Sequence, residues 1–537
     1  MKKNAIILAA GKSSNFAPFI YEKPKGLFCV KGEILIERQI RQLQEAGVFE
    51  IYVVVGYMKE KFFYLEQKYN IKLISNNTFA THGNIYSLYA AKQYLNNTFV
   101  CCADQYFNQN PFFDDNYNNV SYRACTLLEG KFNEFGAGLD EQNRIAKFTI
   151  GGSNSLAMVG HAYFNSDFSS KFISFLENEI NDFGVGKMFW EEFWAKHIED
   201  LTFFSKIYNS EFCFEFDSLD DLIKFDAEFL LNIDSKIIEN ICNTLKCNSC
   251  DIKEIQTINA GLTNVSFSFK VDKQKYVYRH PGWTADNLVN RATELYTQTV
   301  AKENGIDKSF IAMGNDGWKM SYFVDSQVKC NFKSNRAQRK VALSYLSRIH
   351  NADITSARLL LKTFDPIDEA MKLLSIASGA KGDLLCEFGE LINKTKKLYE
   401  IIKNSNFAKT RKKVLCHNDV YEPNYLATKN GDFYLIDWEY AGLNDAAYDL
   451  ACIFCRDSFS DAMIDEYIID YLGREPSFEE KRYFWAYIPI CGFYWFCWGL
   501  YKGSVGDDDG FFFLPAYRNC MKYLQKAINS YERELAL

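Results

Sequence analysis

The densest chemistry in this chain lies in His417-Asn418-Asp419-Val420-Tyr421-Glu422-Pro423-Asn424 and, thirteen residues after Asn424, Asp437. A His-x-Asp-x-x-x-x-Asn loop between short strands lets the Asp take the proton of a hydroxyl group while the Asn side chain holds Mg²⁺. Asp437, at the end of Tyr434-Leu435-Ile436, supplies a second oxygen ligand. His417 is expected to orient the loop rather than act as a base. Upstream, Asn259-Ala260-Gly261-Leu262-Thr263-Asn264 reads as a phosphate-covering turn between two strands, with Thr263 and Asn264 at the nucleotide. Arg279 ends the next strand and Glu294 lies on the following helix, spaced to form an ion pair like the Lys–Glu pair of protein kinases. A guanidinium stays charged, so Arg279 is expected to clamp phosphates and not to move protons.

A second constellation opens the chain. Leu8-Ala9-Ala10-Gly11-Lys12 follows an apolar strand, and small residues there let successive N–H groups form an anion-binding nest. Lys25, in Lys23-Pro24-Lys25-Gly26-Leu27, adds a positive charge. Asp104 ends another buried strand and Asp217 follows Phe214-Glu215-Phe216; both are candidate oxygen ligands for Mg²⁺.

The elements that position these residues fall into two kinds. Strands at Asn4–Ala9, Ile51–Val55, Ile71–Ile74 and Phe99–Ala103 alternate with helices at Ile34–Ala46, Met58–Tyr69 and Asn84–Tyr94. Such β-α repetition predicts a mostly parallel sheet with helices on both faces and ligands at the carboxyl ends of the strands. After a helix at Asp234–Leu245, three short strands at Ile252–Ile258, Val265–Val271 and Lys275–His280 precede a helix at Asp286–Asn304 and a mainly helical remainder. The expected fold class is therefore α/β: an α/β/α domain over residues 1–230, then a domain of a small antiparallel sheet, one helix and a larger helical lobe over 235–537, for which the resemblances given below imply a Rossmann-like fold and a bilobal protein-kinase-like α+β fold.

Composition narrows the class further. The chain has 537 residues, too many for one ordinary domain, and 48% are apolar. With 24% charged residues and a net charge of −7, neither a disordered chain nor a nucleic-acid partner is expected. The opening run Ala5–Ala10 is read as a buried first strand and not as a signal peptide. The apolar stretch Ala486–Tyr501 is shorter than a membrane span and carries Pro489 and Gly492, so a buried helix is expected. The 16 cysteines are expected to be reduced, in a cytoplasmic protein, and Cys247/Cys250 and Cys452/Cys455 lack the accompanying histidines of a zinc site. The 46 Phe, 33 Tyr and 8 Trp suggest Phe-filled cores with some rings at a ligand.

Over residues 4–225 the motifs Ile6–Gly11, Lys23–Leu27, Val54-Val55-Gly56-Tyr57, Asn84-Ile85-Tyr86-Ser87-Leu88-Tyr89, Ala103-Asp104 and Glu215–Ser218 resemble bacterial CTP:phosphocholine cytidylyltransferases. The resemblance implies that the loop Leu8–Lys12 carries the CTP phosphates, with Gly56 and Tyr57 also at the nucleotide, that Asp104 and Asp217 hold Mg²⁺, and that phosphocholine is the second substrate. Two positions depart from the family pattern: Asn15 where the loop usually ends in Arg, with Lys12 nearby, and Cys102 where an acid often stands. A quaternary ammonium calls for aromatic faces and carboxylates, for which Tyr86, Tyr89, Trp190, Glu191 and Glu192 are candidates. Residues from about 235 to 535 resemble the choline kinase and aminoglycoside phosphotransferase superfamily through the loops above, Arg279-His280-Pro281-Gly282 and Trp498-Gly499-Leu500-Tyr501. That resemblance implies ATP as phosphate donor and a choline pocket built from Trp438, Tyr440, Trp495, Trp498 and Tyr501, with Phe511 a weaker candidate. Tyr501 in place of a usual Trp leaves ethanolamine or another amino alcohol open. The pairing implies a bifunctional enzyme making phosphocholine and then CDP-choline. The rivals are a sugar or aminoglycoside kinase joined to a sugar-phosphate nucleotidyltransferase, and a kinase joined to a non-catalytic sensing domain. Oligomeric state is left open.

Overall fold

The computed structural model describes residues 2–113, 120–182, 184–258, 265–282, 289–355, 357–506 and 513–535. The chain forms two compact units, Met1–Ile252 and Lys253–Leu537. The division lies beyond the expected joint at 230–235. The helix Lys236–Leu245 is tied back to the first unit, because Glu22 accepts hydrogen bonds from Ser235 Oγ and from Ile237 N.

In the first unit, β1 (Asn4–Ala9), β2 (Glu50–Val55), β3 (Lys72–Ser75), β4 (Thr98–Cys102), β5 (Tyr122–Leu139), β6 (Ile145–Phe164) and β7 (Phe204–Tyr208) form one sheet in the order β7-β5-β6-β4-β1-β2-β3. The run β4-β1-β2-β3 is parallel, whereas β6 lies antiparallel to both β4 and β5. β1 reads as an unbroken apolar run because it is buried along its whole length in the middle of this sheet. α1 (Leu35–Glu45) lays Ile36, Ile40 and Leu43 against one face. The expected helix over Met58–Tyr69 is a 3-10 turn at Lys59–Phe62 followed by Tyr64–Tyr69. The long hairpin of β5 and β6 had no clear signal in the sequence, because its outer half is exposed and mixes apolar with polar residues.

In the second unit, β8 (Ile252–Ile258), β9 (Val265–Val271), β10 (Gln274–His280), β11 (Phe310–Met313) and β12 (Lys319–Tyr322) form a sheet in the order β8-β9-β10-β12-β11, antiparallel from β9 onward. α2 (Arg291–Glu303) follows β10. Two further ladders frame the His417–Asn424 loop: β13 (Val414–Cys416) with β16 (Gly442–Asn444), and β14 (Tyr425–Ala427) with β15 (Phe433–Leu435). The helical remainder includes α3 (Ala446–Cys455), α4 (Phe478–Ser504) and α5 (Phe513–Leu535).

α4 contains the apolar stretch noted above and is apolar all round because other helices surround it, α3 and α5 among them. Among the described residues no helix is long and apolar enough to cross a membrane. Its Gly492 is a contact point with α5: a Cβ there would stand 2.8 Å from Ala516 O and 3.1 Å from Cys520 N. Backbone on the far side cannot yield as a flexible side chain would. Gly492→Val is therefore expected to lower the stability of the second unit by about 1–3 kcal/mol, seen as an earlier unfolding transition in calorimetry or denaturant titration.

Candidate active sites

In the first unit, β1 delivers Leu8, Ala9 and Ala10 to the carboxyl edge of the sheet. Leu8 O accepts from Ala103 N at 3.0 Å and Ala10 O from Tyr57 N at 3.0 Å, so the loop is pinned on both sides. Gly56 is required where it stands, since a Cβ would lie 2.8 Å from Ala10 O. Gly11 and Lys12 are exposed, as is Asn15. Tyr57 itself turns inward, its hydroxyl donating to Ile20 O, so it holds the loop instead of facing solvent.

Lys25 is buried, and its ammonium meets Asp104 Oδ2 at 3.0 Å and the carbonyl of Phe216. One cavity of about 300 Å³ is lined by Lys25, Asp104, Asp217 and Glu191, together with Cys102, Arg123, Phe135, Phe189 and Glu215. The structure thus brings four of the expected residues to one place. The oxygens of Asp104 and Asp217 suit a hard cation such as Mg²⁺. Glu191 enters the cavity from the first turn of the helix Trp190–Lys196, whose Trp190 N–H is capped by Asn84 Oδ1. Burial pushes the Glu191 carboxyl up to about 7, although Arg123 pulls the other way from 3.6 Å.

Of the five expected cage residues, Tyr86, Tyr89, Trp190 and Glu192 do not line this cavity, and Glu192 instead accepts from Phe189 N–H at the start of its helix. Trp190 is packed in the core against Phe164 and Phe203. Tyr86 stacks near His82 and donates its hydroxyl to Ile180 O. The turn of about 100° between successive helical residues decides this: Trp190 faces the core, and its neighbour Glu191 faces the cavity. The aromatic wall is instead Phe135 and Phe189, 6.0 Å apart at 68°. Neither carried a motif signal, because Phe135 belongs to the unforeseen β5–β6 hairpin.

In the second unit, Asp449 on α3 organises the catalytic-type loop. Its carboxylate accepts from His417 N at 2.9 Å, Asn418 N at 2.7 Å and His350 Nε2 at 2.9 Å. Asp449 also lies with His350 and Cys416 in a buried cluster of metal-ligand type, but its oxygens are already occupied by these donors. His417 Nδ1 accepts from Asp419 N and its Nε2 faces Ile436 O at 2.9 Å, an arrangement met by the neutral ring with the proton on Nε2. Asn418 takes a left-handed φ of 63°, and so does Asp437 at 66°. Both turns re-aim the chain at the site.

Asn424 donates its Nδ2 to Asp419 O at 2.9 Å and to Asp419 Oδ2 at 3.1 Å. Its amide oxygen is then the atom suited to a cation, alongside the half-exposed carboxylate of Asp437. Burial raises Asp419 above the usual carboxylate value, with Arg456 and His417 opposing. Arg279 pairs with Glu294 Oε1 at 2.5 Å and reaches Asp437 Oδ1 at 3.5 Å. Burial alone would raise Glu294, yet Arg279, Lys319 and Arg291 together hold it below the ordinary value. Lys319, buried on β12 in the register pair of Arg279, is a second cation here that no sequence motif announced. Thr263, Asn264 and Phe511 lie outside the described residues.

Tyr440, Trp495 and Trp498 form one group. Trp498 Nε1 donates to Tyr440 O–H at 3.0 Å, and Trp495 stands edge-on to Tyr440 at 5.6 Å and to Trp498 at 5.5 Å. Tyr501 is one turn further along α4 and buried. Trp438 is not part of this group: it is 0% exposed, donates to Leu435 O and packs on His417, so it supports the loop from beneath.

The first unit is thus of the nucleotidyltransferase class and the second is a protein-kinase-like phosphotransferase. Residues 5–126 match the MobA-like NTP transferase domain family, and residues 255–492 the choline/ethanolamine kinase family. The chain is 34% identical over 232 residues to the 2-aminoethylphosphonate cytidylyltransferase of Lancefieldella rimae, covering 43% of this chain and 94% of that protein. It is 30% identical over 232 residues to the choline-phosphate cytidylyltransferase of Streptococcus pneumoniae, covering 42% of this chain and 98% of that one. The crystal structure of the choline kinase LicA from Streptococcus pneumoniae matches at 21% identity and a TM-score of 0.44, covering 54% of this chain and 98% of that chain. The chain belongs to the nucleotidyltransferase family of these cytidylyltransferases through its first unit, and its second unit is a choline/ethanolamine kinase-family domain. It is an enzyme with nucleotidyltransferase and kinase activities.

Two tests follow from the geometry. Glu191 gains its negative charge as pH rises through about 7, so affinity for a cationic head group in the first unit is expected to rise across that range. Glu191→Gln should flatten this dependence of KM, measured by cytidylyltransferase assay between pH 6 and 8 (about one unit either side). Asp449→Ala removes the acceptor for two loop N–H groups and is expected to lower kinase turnover about 100-fold, with ATP KM changed far less, as read by steady-state kinetics.

Proposed function

We propose that the second unit phosphorylates choline with ATP and that the first unit joins the resulting phosphocholine to CMP from CTP, releasing CDP-choline and pyrophosphate. The observation that carries this reading is the placement of Asp419 against Asn424 and near the Tyr440–Trp495–Trp498 group, so that a hydroxyl acceptor and an aromatic wall share one site. The relatives named for choline-phosphate and the choline/ethanolamine kinase family support the choice of substrate. The reading places both reactions in the cytoplasm, where ATP and CTP are available.

In the kinase step Asp419 orients the alcohol and accepts its proton. The alcohol oxygen forms a bond to the γ-phosphorus as the bond to the β-phosphate bridging oxygen breaks, and ADP leaves. Arg279, kept in place by Glu294, clamps the phosphates. In the transferase step a phosphate oxygen of the product attacks the α-phosphorus of CTP. Phosphate is already a nucleophile, so no strong base is needed; Lys25 and the loop after β1 supply positioning and charge neutralisation. Asn424 with Asp437, and Asp104 with Asp217, would hold Mg²⁺, which when bound neutralises phosphate charge.

A second reading is an amino alcohol other than choline, and it is supported by the relative named for 2-aminoethylphosphonate, a compound that carries a primary ammonium in place of a trimethylated one. The test uses the full chain with choline, ATP, CTP and Mg²⁺, following both products. Asp419→Asn is expected to lower phosphocholine formation by about 10²–10⁴-fold while sparing CDP-choline formation from supplied phosphocholine. Asp104→Asn should do the reverse. Full kinase activity in Asp419→Asn would remove the base assignment, and no CDP-choline from supplied phosphocholine would remove the transferase assignment.

A further inference from the structure

The aromatic group proposed to hold the acceptor's head already carries cations of the protein's own. Arg456 caps the C-terminal end of α3, and its guanidinium carbon lies 3.6 Å from the centroid of the Trp495 ring and 4.5 Å from that of Tyr421. The same guanidinium is ion-paired with Asp419 Oδ1, inside a buried setting where both side chains are about nine-tenths covered. Lys502, 0% exposed, has its ammonium 5.7 Å from the Trp498 ring. The other sides of Trp495 are taken by Tyr494, Trp498 and Tyr440. Its indole N–H is buried with no hydrogen-bond partner among the described residues, which suits a wall facing a polar ligand better than a finished core.

An aromatic face at stacking distance from one cation has no room for another. This matters unequally to different acceptors. A trimethylammonium head has no N–H, so aromatic faces and nearby negative charge are its main means of recognition. A primary ammonium has three N–H donors and can be held by carboxylate, hydroxyl and carbonyl oxygens instead. Arg456 occupies the aromatic face that a quaternary head would use.

We propose that Arg456 is the acceptor-selecting residue of the kinase unit: by holding the Trp495 face, it makes the unit favour an amino alcohol with a primary ammonium over its trimethylated counterpart. The proposal rests on the kinase reading above and takes the second of its two acceptor readings, an amino alcohol other than choline. Arg456 competes with the head group and takes no part in bond making. It also keeps Asp419 paired until an acceptor enters.

The experiment compares kcat/KM for ethanolamine and for choline in the full chain with ATP, first in the unaltered protein. A preference for ethanolamine of about tenfold or more is expected, the scale on which a binding pocket separates close analogues. Arg456→Gln, which removes the charge, is expected to lower KM for choline and shrink the preference at least about fivefold, whereas Arg456→Lys should retain most of it. Equal use of the two alcohols, or a preference for choline, in the unaltered protein overturns the proposal and leaves the kinase reading standing, so the result does not depend on how well a variant folds. A preference that survives in Arg456→Gln also overturns the assignment to Arg456. Phosphorylation of neither alcohol would defeat the kinase reading itself.

Discussion

A charge taken out of water must be met where it is buried, and both sites are arranged around that requirement. In the first unit the buried ammonium of Lys25 is met by Asp104 and by the carbonyl of Phe216, which ties the segment after the nucleotide loop to both candidate metal-binding segments. In the second unit Asp449 is buried completely and is satisfied by the main chain of His417 and Asn418 and by His350. The His417–Asn424 loop can hold its shape because those backbone donors have a charged acceptor beneath them. Arg279 with Glu294, and Arg456 with Asp419, repeat the same logic on either side of the loop.

The two units reach phosphate chemistry by different architectures. The first uses the carboxyl edge of a parallel sheet, where β1 and β4 end close together and present a loop and an acid side by side. The second uses a small antiparallel sheet for the cations and loops held between short ladders for the acids. What they share is the division of labour. Main-chain turns set the geometry, and lysine or arginine answers the charge of the phosphates. Phosphoryl and nucleotidyl transfer need little else from a protein, since the nucleophiles are oxygens brought into line.

The abundance of aromatic residues has a more ordinary basis than the ligand-binding reading suggested. Most rings, Trp190, Trp194 and Trp438 among them, fill the cores. Only small sets stand where chemistry is proposed: Phe135 and Phe189 in the first unit, and Tyr440, Trp495 and Trp498 in the second. Even there, rings do not act as a bare cage. Arg456 stacks on Trp495, so the identity of the cation on the aromatic face becomes a question of competition.

The amino-acid sequence by itself determined the two-part organisation, the strands of the parallel core and the acids and cations of both motifs. These depend on local pattern: an apolar run buried in a sheet, or residues at fixed spacing in one loop. Lys25, Asp104 and Asp217 stood out as candidates for that reason, as did Asp419, Asn424, Asp437, Arg279 and Glu294, and the fold brings each set together. Only the tertiary structure decided which aromatic residues face a cavity, because of Trp190 and Glu191, adjacent in sequence, one enters the core and the other lines the cavity. It also decided that Trp438 is core, that Lys319 lies beside Arg279, and that Asp449 and Arg456 reach the loop from α3. Those relations join residues distant in the chain, and burial, not spacing, selects them.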